Sequence, residues 1–272
     1  MVIIRNPSKE ILKSVVHPEE IKEFIKNFCY VDSKVAKKIY DYFELQYKYI
    51  GIPHNKKIII ENYKGERDYW IFHALFGRRV NDALSRAVAF CLARLGGRDV
   101  EVGINDNGFY IVGEKINEEK IKKAINFLNE KNIEEVLKEA IDKTELLKRR
   151  FRHCAVRSLI ILRKYKGRAK SVGKQQLKSG FILGAIKRLS EEFPILKEAK
   201  REILEDVMDI KNSRKILEWI REGKIKIEFK KTEMPSPFSL NLIMQSRVDL
   251  IKMEDKIEFL KRVYKMIKEK VR

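Results

Sequence analysis

The spacing of apolar residues predicts a helical start for the chain. His17, Pro18 and two glutamates precede the stretch IKEFIKNF, which favours a short helix with acids in its first turn. The following stretch, VAKKIYDYFELQYKYI, has apolar residues at helical spacing. Asp32 or Ser33 is its predicted N-cap, and Gly51 and Pro53 are its predicted end. Residues 1–55 are therefore predicted to be a helical segment.

From Lys56 the pattern changes to short β-branched and aromatic runs. KIIIENY and RDYWIFHALF predict a hairpin, and DVEVGINDN and GFYIVGE predict a second one around an Asp-Asn-Gly turn. Between the hairpins, a helical pattern begins after Gly77 and stops at Gly96 and Gly97. Residues 56–114 are thus predicted to form a β-rich unit of two hairpins around a helix.

Residues 115–272 are predicted to be mostly helical, with one late strand, KIKIEFKK. One of these helices is strongly basic and is predicted from about Glu145 to Tyr165. The predicted fold class is therefore α+β: a small antiparallel β-barrel or bundle with an inserted helix, followed by a mostly helical C-terminal half.

Charge adds a strong functional signal. The chain has 59 basic and 39 acidic residues, a net charge of +20. Residues 146–190 contain 14 Lys and Arg and no Asp or Glu, yet apolar residues are interleaved with the charges. A structured element with this composition is typical of proteins that bind a polyanion, and nucleic acid is the ordinary candidate. Binding of this kind weakens steeply with salt.

The basic helix supplies the first candidate site. Arg150, His153, Arg157 and Lys164 fall at helical spacing and predict one stripe, with further arginines alongside. Such a stripe could contact a sugar-phosphate backbone. Alternatively, these arginines pair with acids elsewhere in the chain, and for Arg157 the two readings are about equally supported.

Two further segments suit phosphate binding. The glycine-containing loop from Lys166 to Gln175 does not match a Walker A motif, because its spacing and its final residues differ, but its cations could contact phosphates. Arg78, Arg79 and Asn81 stand at the start of a predicted helix, where they would either bind an anion or be solvated. The residues predicted to bind nucleic acid are Arg78, Arg79, Arg149, Arg150, Arg152, Arg163, Lys164, Lys166, Arg168, Lys170 and Lys174.

An enzymatic alternative rests on Glu202, Glu205, Asp206 and Asp209. At helical spacing these acids predict one face that could hold a divalent metal for a nuclease. An acidic face that docks onto the basic helix explains the same spacing more simply. No catalytic or metal-ligating residue is predicted for the main interpretation.

The remaining features predict a reduced, cytoplasmic protein. Cys29, Cys91 and Cys154 are isolated and flanked by apolar residues, which predicts buried thiols rather than a zinc site or disulfides. No signal peptide and no apolar run long enough for a transmembrane helix is visible, so no membrane partner is expected.

Several motifs, in order, resemble one protein family. These are IPHNKKIIIENY, FHALFGRRVNDALSRAVA, NDNGF, RRFRHCAVRSLIILRKYKGRAKSVGKQQ, FPILKEAKREILEDVMDI and MPSPFSLNLI. Together they resemble the C-terminal DEAD/H-associated region of archaeal Lhr-type (large helicase-related) superfamily 2 helicases. The resemblance covers roughly residues 32–250, and its arginine-rich block is the most specific part.

The resemblance implies a role beside an ATP-driven motor that moves 3′ to 5′ along single-stranded DNA in DNA repair. No Walker A or DEAD-box motif is found in this sequence, so we expect no enzyme activity of its own, with ATP and Mg²⁺ entering only through a motor partner. The expected partners are single-stranded or forked DNA, with RNA as a further candidate, and separately encoded motor domains. A third hypothesis is a structural subunit that docks an acidic protein partner.

Overall fold

The computed structural model describes residues 17–271 except 97, 130 and 247–252. The helices in chain order are α1 Pro18–Cys29, α2 Ser33–Tyr49, α3 Arg78–Arg94, α4 Glu118–Phe127, α5 Ile133–Asp142, α6 Glu145–Arg157, α7 Val172–Leu189, α8 Pro194–Glu202, α9 Ile210–Arg221, α10 Leu240–Ser246 and α11 Met253–Val271. The strands are β1 Lys57–Lys64, β2 Asp68–His73, β3 Arg98–Asn105, β4 Gly108–Glu114, β5 Lys164–Tyr165, β6 Arg168–Ala169 and β7 Lys226–Thr232. A π-helical segment, Ile203–Val207, follows α8.

The chain divides into two compact units. One takes the chain up to Ile52 with Ser236–Phe238 and Ile257–Arg272, and the other takes Pro53–Pro235 with Ser239–Lys256. The three-part division near residues 55 and 115 that composition suggested stays a prediction.

The first unit contains the two helices predicted at the start of the chain. Asp32 is the N-cap of α2, since its carboxylate accepts a hydrogen bond from the Val35 amide at 2.7 Å. The Tyr42 hydroxyl donates to the Pro237 carbonyl at 2.9 Å. Both helices are therefore confirmed, and the predicted loop around Pro237 packs against α2.

A five-stranded sheet is the centre of the second unit. Its strand order is β3-β4-β2-β1-β7, and β7 pairs parallel to β1 while the other neighbours are antiparallel. Both predicted hairpins are confirmed, as is the late strand. At the second hairpin, a Cβ on Gly108 would lie 2.2 Å from the Phe72 carbonyl oxygen, so only glycine permits this pairing.

Alternating residues of the sheet cover its two faces with different partners. Ile60, Trp70, Phe72 and Ile111 belong to the main core, which includes the buried face of α3. On the other face, Tyr69, Ile71, Tyr110 and Val112 pack with Leu242 and Ile243 of α10. Helix α10 was not expected from the sequence, because its apolar residues are too few to show a periodic pattern.

The barrel prediction is wrong, although the α+β class is confirmed. Among the described residues, β3 and β7 are the two ends of the sheet and are not paired with each other. The late strand β7 extends the sheet beside β1 instead of closing it, and it makes the sheet mixed rather than antiparallel.

Candidate nucleic-acid interface

Helix α6 is held in place by its apolar side. Leu147, Phe151, Cys154 and Ala155 are buried in the main core at a spacing that keeps them on one face. The Thr144 hydroxyl caps the helix start by accepting from the Leu147 amide at 3.4 Å. The charged residues therefore project from the remaining surface of an anchored helix.

A cleft of about 440 Å³ opens beside this charged surface. Its polar lining is Arg149, Arg150, His153, Arg157 and Arg163. Its apolar lining is Leu146 and Val207. A volume of this size is typical of small-ligand pockets, but those are mostly apolar, whereas four arginines line this one.

One buried carboxylate contributes to the arrangement. Glu202, at the end of α8, is 5% exposed and accepts hydrogen bonds from Arg150, at 3.3 Å, and from Arg157. Two guanidinium groups thus converge on the two oxygens of one anion. The interpretation of Arg157 as an internally paired residue is correct for this contact, but its side chain is still 58% exposed and lines the cleft.

The cations affect the histidine between them. Burial lowers the pKa of His153, and the charges of Arg152, Arg150, Arg163 and Arg157 lower it further. Burial and the surrounding arginines therefore both disfavour the protonated form of His153.

The chain leaves the cleft through a short basic hairpin, Lys164–Ala169, in which β5 and β6 pair. Lys166 and Gly167 form its two-residue turn with φ of 47° and 76°, as a tight hairpin turn of this kind requires. The Lys170 amide donates to the Arg163 carbonyl at 2.8 Å and closes the hairpin base. Arg163 therefore belongs to both the cleft and the hairpin base.

This hairpin corrects two expectations. The basic helix ends at Arg157, not near Tyr165, because Leu159 turns to a positive φ of 61°. Of the three apolar residues that follow, only Ile161 is buried, whereas Ile160 and Leu162 are exposed. Lys164 consequently lies on the hairpin and not on the helical stripe.

Most of the predicted binding residues are accessible. The exposed ones are Arg78, Arg79, Arg149, Arg163, Lys164, Lys166, Arg168 and Lys174. Those of intermediate exposure are Arg150, Arg152 and Lys170. The structure brings Arg149, Arg150 and Arg163 together in the cleft, and it places Lys164, Lys166 and Arg168 on the adjoining hairpin.

The start of α3 has a structural role that the sequence did not indicate. The Asn81 amide is buried and donates to the carbonyls of Ala74, Asn105 and Asp106 at 3.0, 3.1 and 3.2 Å. Arg79 donates to the carbonyls of Glu205 and Met208 at the π-helical segment. These donors tie together backbone segments, so Asn81 is not available to an anion.

The four acids of the nuclease alternative do not form one helical face. Helix α8 ends at Glu202, the π-helical segment shifts the register, and Asp209 becomes the N-cap of α9 by accepting from Asn212. Glu205 pairs with Arg201 instead. Across the described residues, no cluster of three His, Cys, Asp or Glu side chains could hold a metal ion.

The cysteine prediction is wrong for one residue. Cys91 and Cys154 are buried, and burial raises the pKa of Cys91 to about 11. Cys29 is exposed at the end of α1.

No helix among the described residues has the length and apolar character to cross a bilayer.

Two cleft residues belonged to the predicted stripe of the basic helix but not to the final set of residues predicted to bind nucleic acid. His153 and Arg157 follow Arg149 at i+4 and i+8 on α6. That spacing was visible in the sequence, but the contribution of Val207 was not, because it depends on how α8 and its π-helical extension pack beside α6.

Sequence comparisons identify the family. Residues 52–239 match the family described as DEAD/H associated. The chain is 46% identical over 256 residues to the ATP-dependent helicase Lhr-Core of Methanothermobacter thermautotrophicus, covering 93% of this chain and 30% of that protein. It is 38% identical to the Lhr-Core helicase of Sulfolobus acidocaldarius, covering 98% and 30%. This chain therefore belongs to the DEAD/H-associated family found in Lhr-type helicases.

One solved structure has a similar fold. The Mycobacterium smegmatis helicase Lhr, bound to single-stranded DNA and AMP-PNP, matches with a TM-score of 0.73 and 22% identity, over 84% of this chain and 29% of that one. The chain thus spans about 30% of the length of these three proteins.

Proposed function

We propose that this chain is a nucleic-acid-binding accessory region of an Lhr-type DNA helicase. It binds and guides single-stranded or forked DNA along the cleft beside α6 and the basic hairpin. ATP hydrolysis and Mg²⁺ belong, in this proposal, to motor domains supplied separately.

The observation that carries the proposal is the anchored cationic surface. Helix α6 is fixed by its buried face, which holds its arginines at the surface of the protein. Within residues 146–190, Lys148, Arg150, Arg157 and Lys187 take part in ion pairs. The exposed Arg149, Arg163 and Arg168 add positive charge that phosphates could neutralise.

The similar structure adds support from another protein. The mycobacterial Lhr is described with single-stranded DNA bound. Its fold similarity covers 84% of this chain.

The test is a salt series of DNA binding by fluorescence anisotropy. The variant Arg149→Ala/Arg163→Ala removes two cleft cations and should weaken binding of single-stranded DNA by about tenfold to a hundredfold. If each arginine contacts one phosphate, the slope of log affinity against log salt should fall in magnitude by about 1.4.

The matched control is Lys123→Ala/Lys224→Ala. It makes the same change in net charge at two exposed positions whose lysines pair with Glu119 and Glu222. We expect its slope and affinity to stay near those of the unmodified protein. Equal effects of both double variants would reject the cleft as the binding surface. Failure of the unmodified protein to bind DNA at low salt would reject the function itself and would favour an acidic protein as partner.

A further inference from the structure

The cleft arginines converge on one place instead of forming a row. Arg150 and Arg157, two helical turns apart on α6, both reach the carboxylate of Glu202. Arg163 approaches from the segment after the helix, and Arg149 lines the same cleft. Convergence from two chain segments suits one compact anion, whereas a strand of successive phosphates needs cations spread along a track.

The positive charge of the cleft is larger than the negative charge of one phosphodiester within a nucleic-acid strand. Four arginines against the single carboxylate of Glu202 leave a net charge of +3. An internal phosphodiester carries one negative charge. A phosphate monoester carries about −1.5 to −2 near neutral pH and has three oxygens that accept hydrogen bonds.

Glu202 orients two of the arginines without saturating them. The structure records one nitrogen of each guanidinium bonded to this carboxylate, Nη1 of Arg150 and Nη2 of Arg157. Each guanidinium has five N–H donors in a planar fork. The remaining donors of Arg157 are on a side chain that is more than half exposed, so they can still reach a ligand.

We infer that this cleft binds the terminal phosphate monoester of a nucleic-acid strand. The basic hairpin Lys164–Ala169 then contacts the internal phosphates of the same strand. This inference rests on the proposed function, because it names the part of the strand that the cleft would take.

The experiment compares four versions of one short, internally labelled oligothymidylate with the full chain. These have a 5′-phosphate, a 3′-phosphate, hydroxyls at both ends, or a covalently closed circle without ends. We expect one phosphorylated strand to bind about tenfold more tightly than the hydroxyl-ended strand and the circle. The two phosphorylated strands distinguish which end of the strand is the source of the monoester.

Two variants locate the effect. Arg149→Lys/Arg163→Lys keeps the charge but loses the planar forks, so the preference for a phosphorylated end should disappear, with a larger loss of affinity for the phosphorylated strand than for the hydroxyl-ended one. The positioning residue Glu202 is tested by Glu202→Gln, which keeps a hydrogen-bond acceptor and removes the competing charge. It should increase the preference for the phosphorylated end.

Equal affinities of the four strands would overturn the inference and would leave the proposed DNA-binding function intact. A preference that persists unchanged in Arg149→Lys/Arg163→Lys would also overturn it, because the phosphate would then bind elsewhere. Failure of the unmodified chain to bind any of the four strands would instead contradict the proposed function.

Discussion

The arginines at the start of α3 and those along α6 have different roles, although both helices are amphipathic. At α3, Arg79 uses its guanidinium to join the carbonyls of Glu205 and Met208. On α6, Arg149 is exposed and lines the cleft, and the helix is held by buried apolar residues such as Phe151. A cluster of basic residues in a sequence therefore does not say whether its members hold the fold together or face a ligand.

The two regions meet at the π-helical segment Ile203–Val207. Arg79 binds the carbonyl of Glu205 within it and that of Met208 just after it, while Val207 lines the cleft. Glu202, immediately before it, receives Arg150 and Arg157. Segments of π-helix are rare and frequently lie at functional sites. The arginine at α3 thus supports one wall of the cleft that the arginines of α6 line.

The largest expected effect tests how α6 is anchored. Phe151 is fully buried, so Phe151→Ala should lower the free energy of unfolding by about 3–5 kcal/mol. Arg149→Ala on the same helix should change it by less than about 0.5 kcal/mol, because that side chain is exposed. Urea unfolding followed by circular dichroism measures both. A comparable loss in the two variants would show that the cations of α6 are also structural.

An intermediate effect tests the structural role of Arg79. Arg79→Ala removes the hydrogen bonds to two backbone carbonyls and should cost about 1–2 kcal/mol of stability. Arg78→Ala is the matched control, since Arg78 is exposed on the adjacent position and should change stability by less than about 0.5 kcal/mol. Identical unfolding curves for the two variants would remove the distinction between the two regions.

The smallest effect is the pH dependence that His153 adds. The pKa of His153 is lowered in the folded protein. At pH values just below the ordinary histidine pKa of about 6.5, the unfolded chain therefore binds more protons than the folded chain does. Stability should therefore be unaffected above that pH and should fall as the pH decreases through the window below it. His153→Gln should remove this part of the dependence, as measured by urea unfolding at a series of pH values. An unchanged pH profile in the variant would show that burial and the surrounding arginines do not lower the pKa of His153 in the folded protein.

Much of the local structure was predictable because it depends on short-range patterns. The β-branched and aromatic runs KIIIENY and GFYIVGE, the Asp32 cap and the helical spacing from Arg78 to Arg94 all predicted elements that the structure confirms. The end of the basic helix was not predictable in the same way. Leu159 turns to a positive φ, and the hairpin that follows is only two residues long on each side. Elements this short leave no period to recognise.

The candidate site was likewise predictable only in those parts that depend on local sequence. Its cations and the scarcity of acids around them were visible as composition, and the spacing of Arg150, His153 and Arg157 already placed them on one helical face. The carboxylate that orients two of these arginines comes from residue 202, at the far end of a separate helix. Spacing in a sequence cannot show such a partner, because the contact forms only when α8 packs against α6.

By itself, the sequence determined the α+β class, the excess of positive charge and the family resemblance, since each of these depends on local pattern or on composition. Only the tertiary structure decided that the sheet is open, that Arg79 ties backbone carbonyls and that four arginines converge in one cleft. The physical reason is that strand pairing, a bond between residues 79 and 205 and a shared cavity are all contacts between distant parts of the chain. Their geometry is set by how the buried faces of the helices and the sheet fit together.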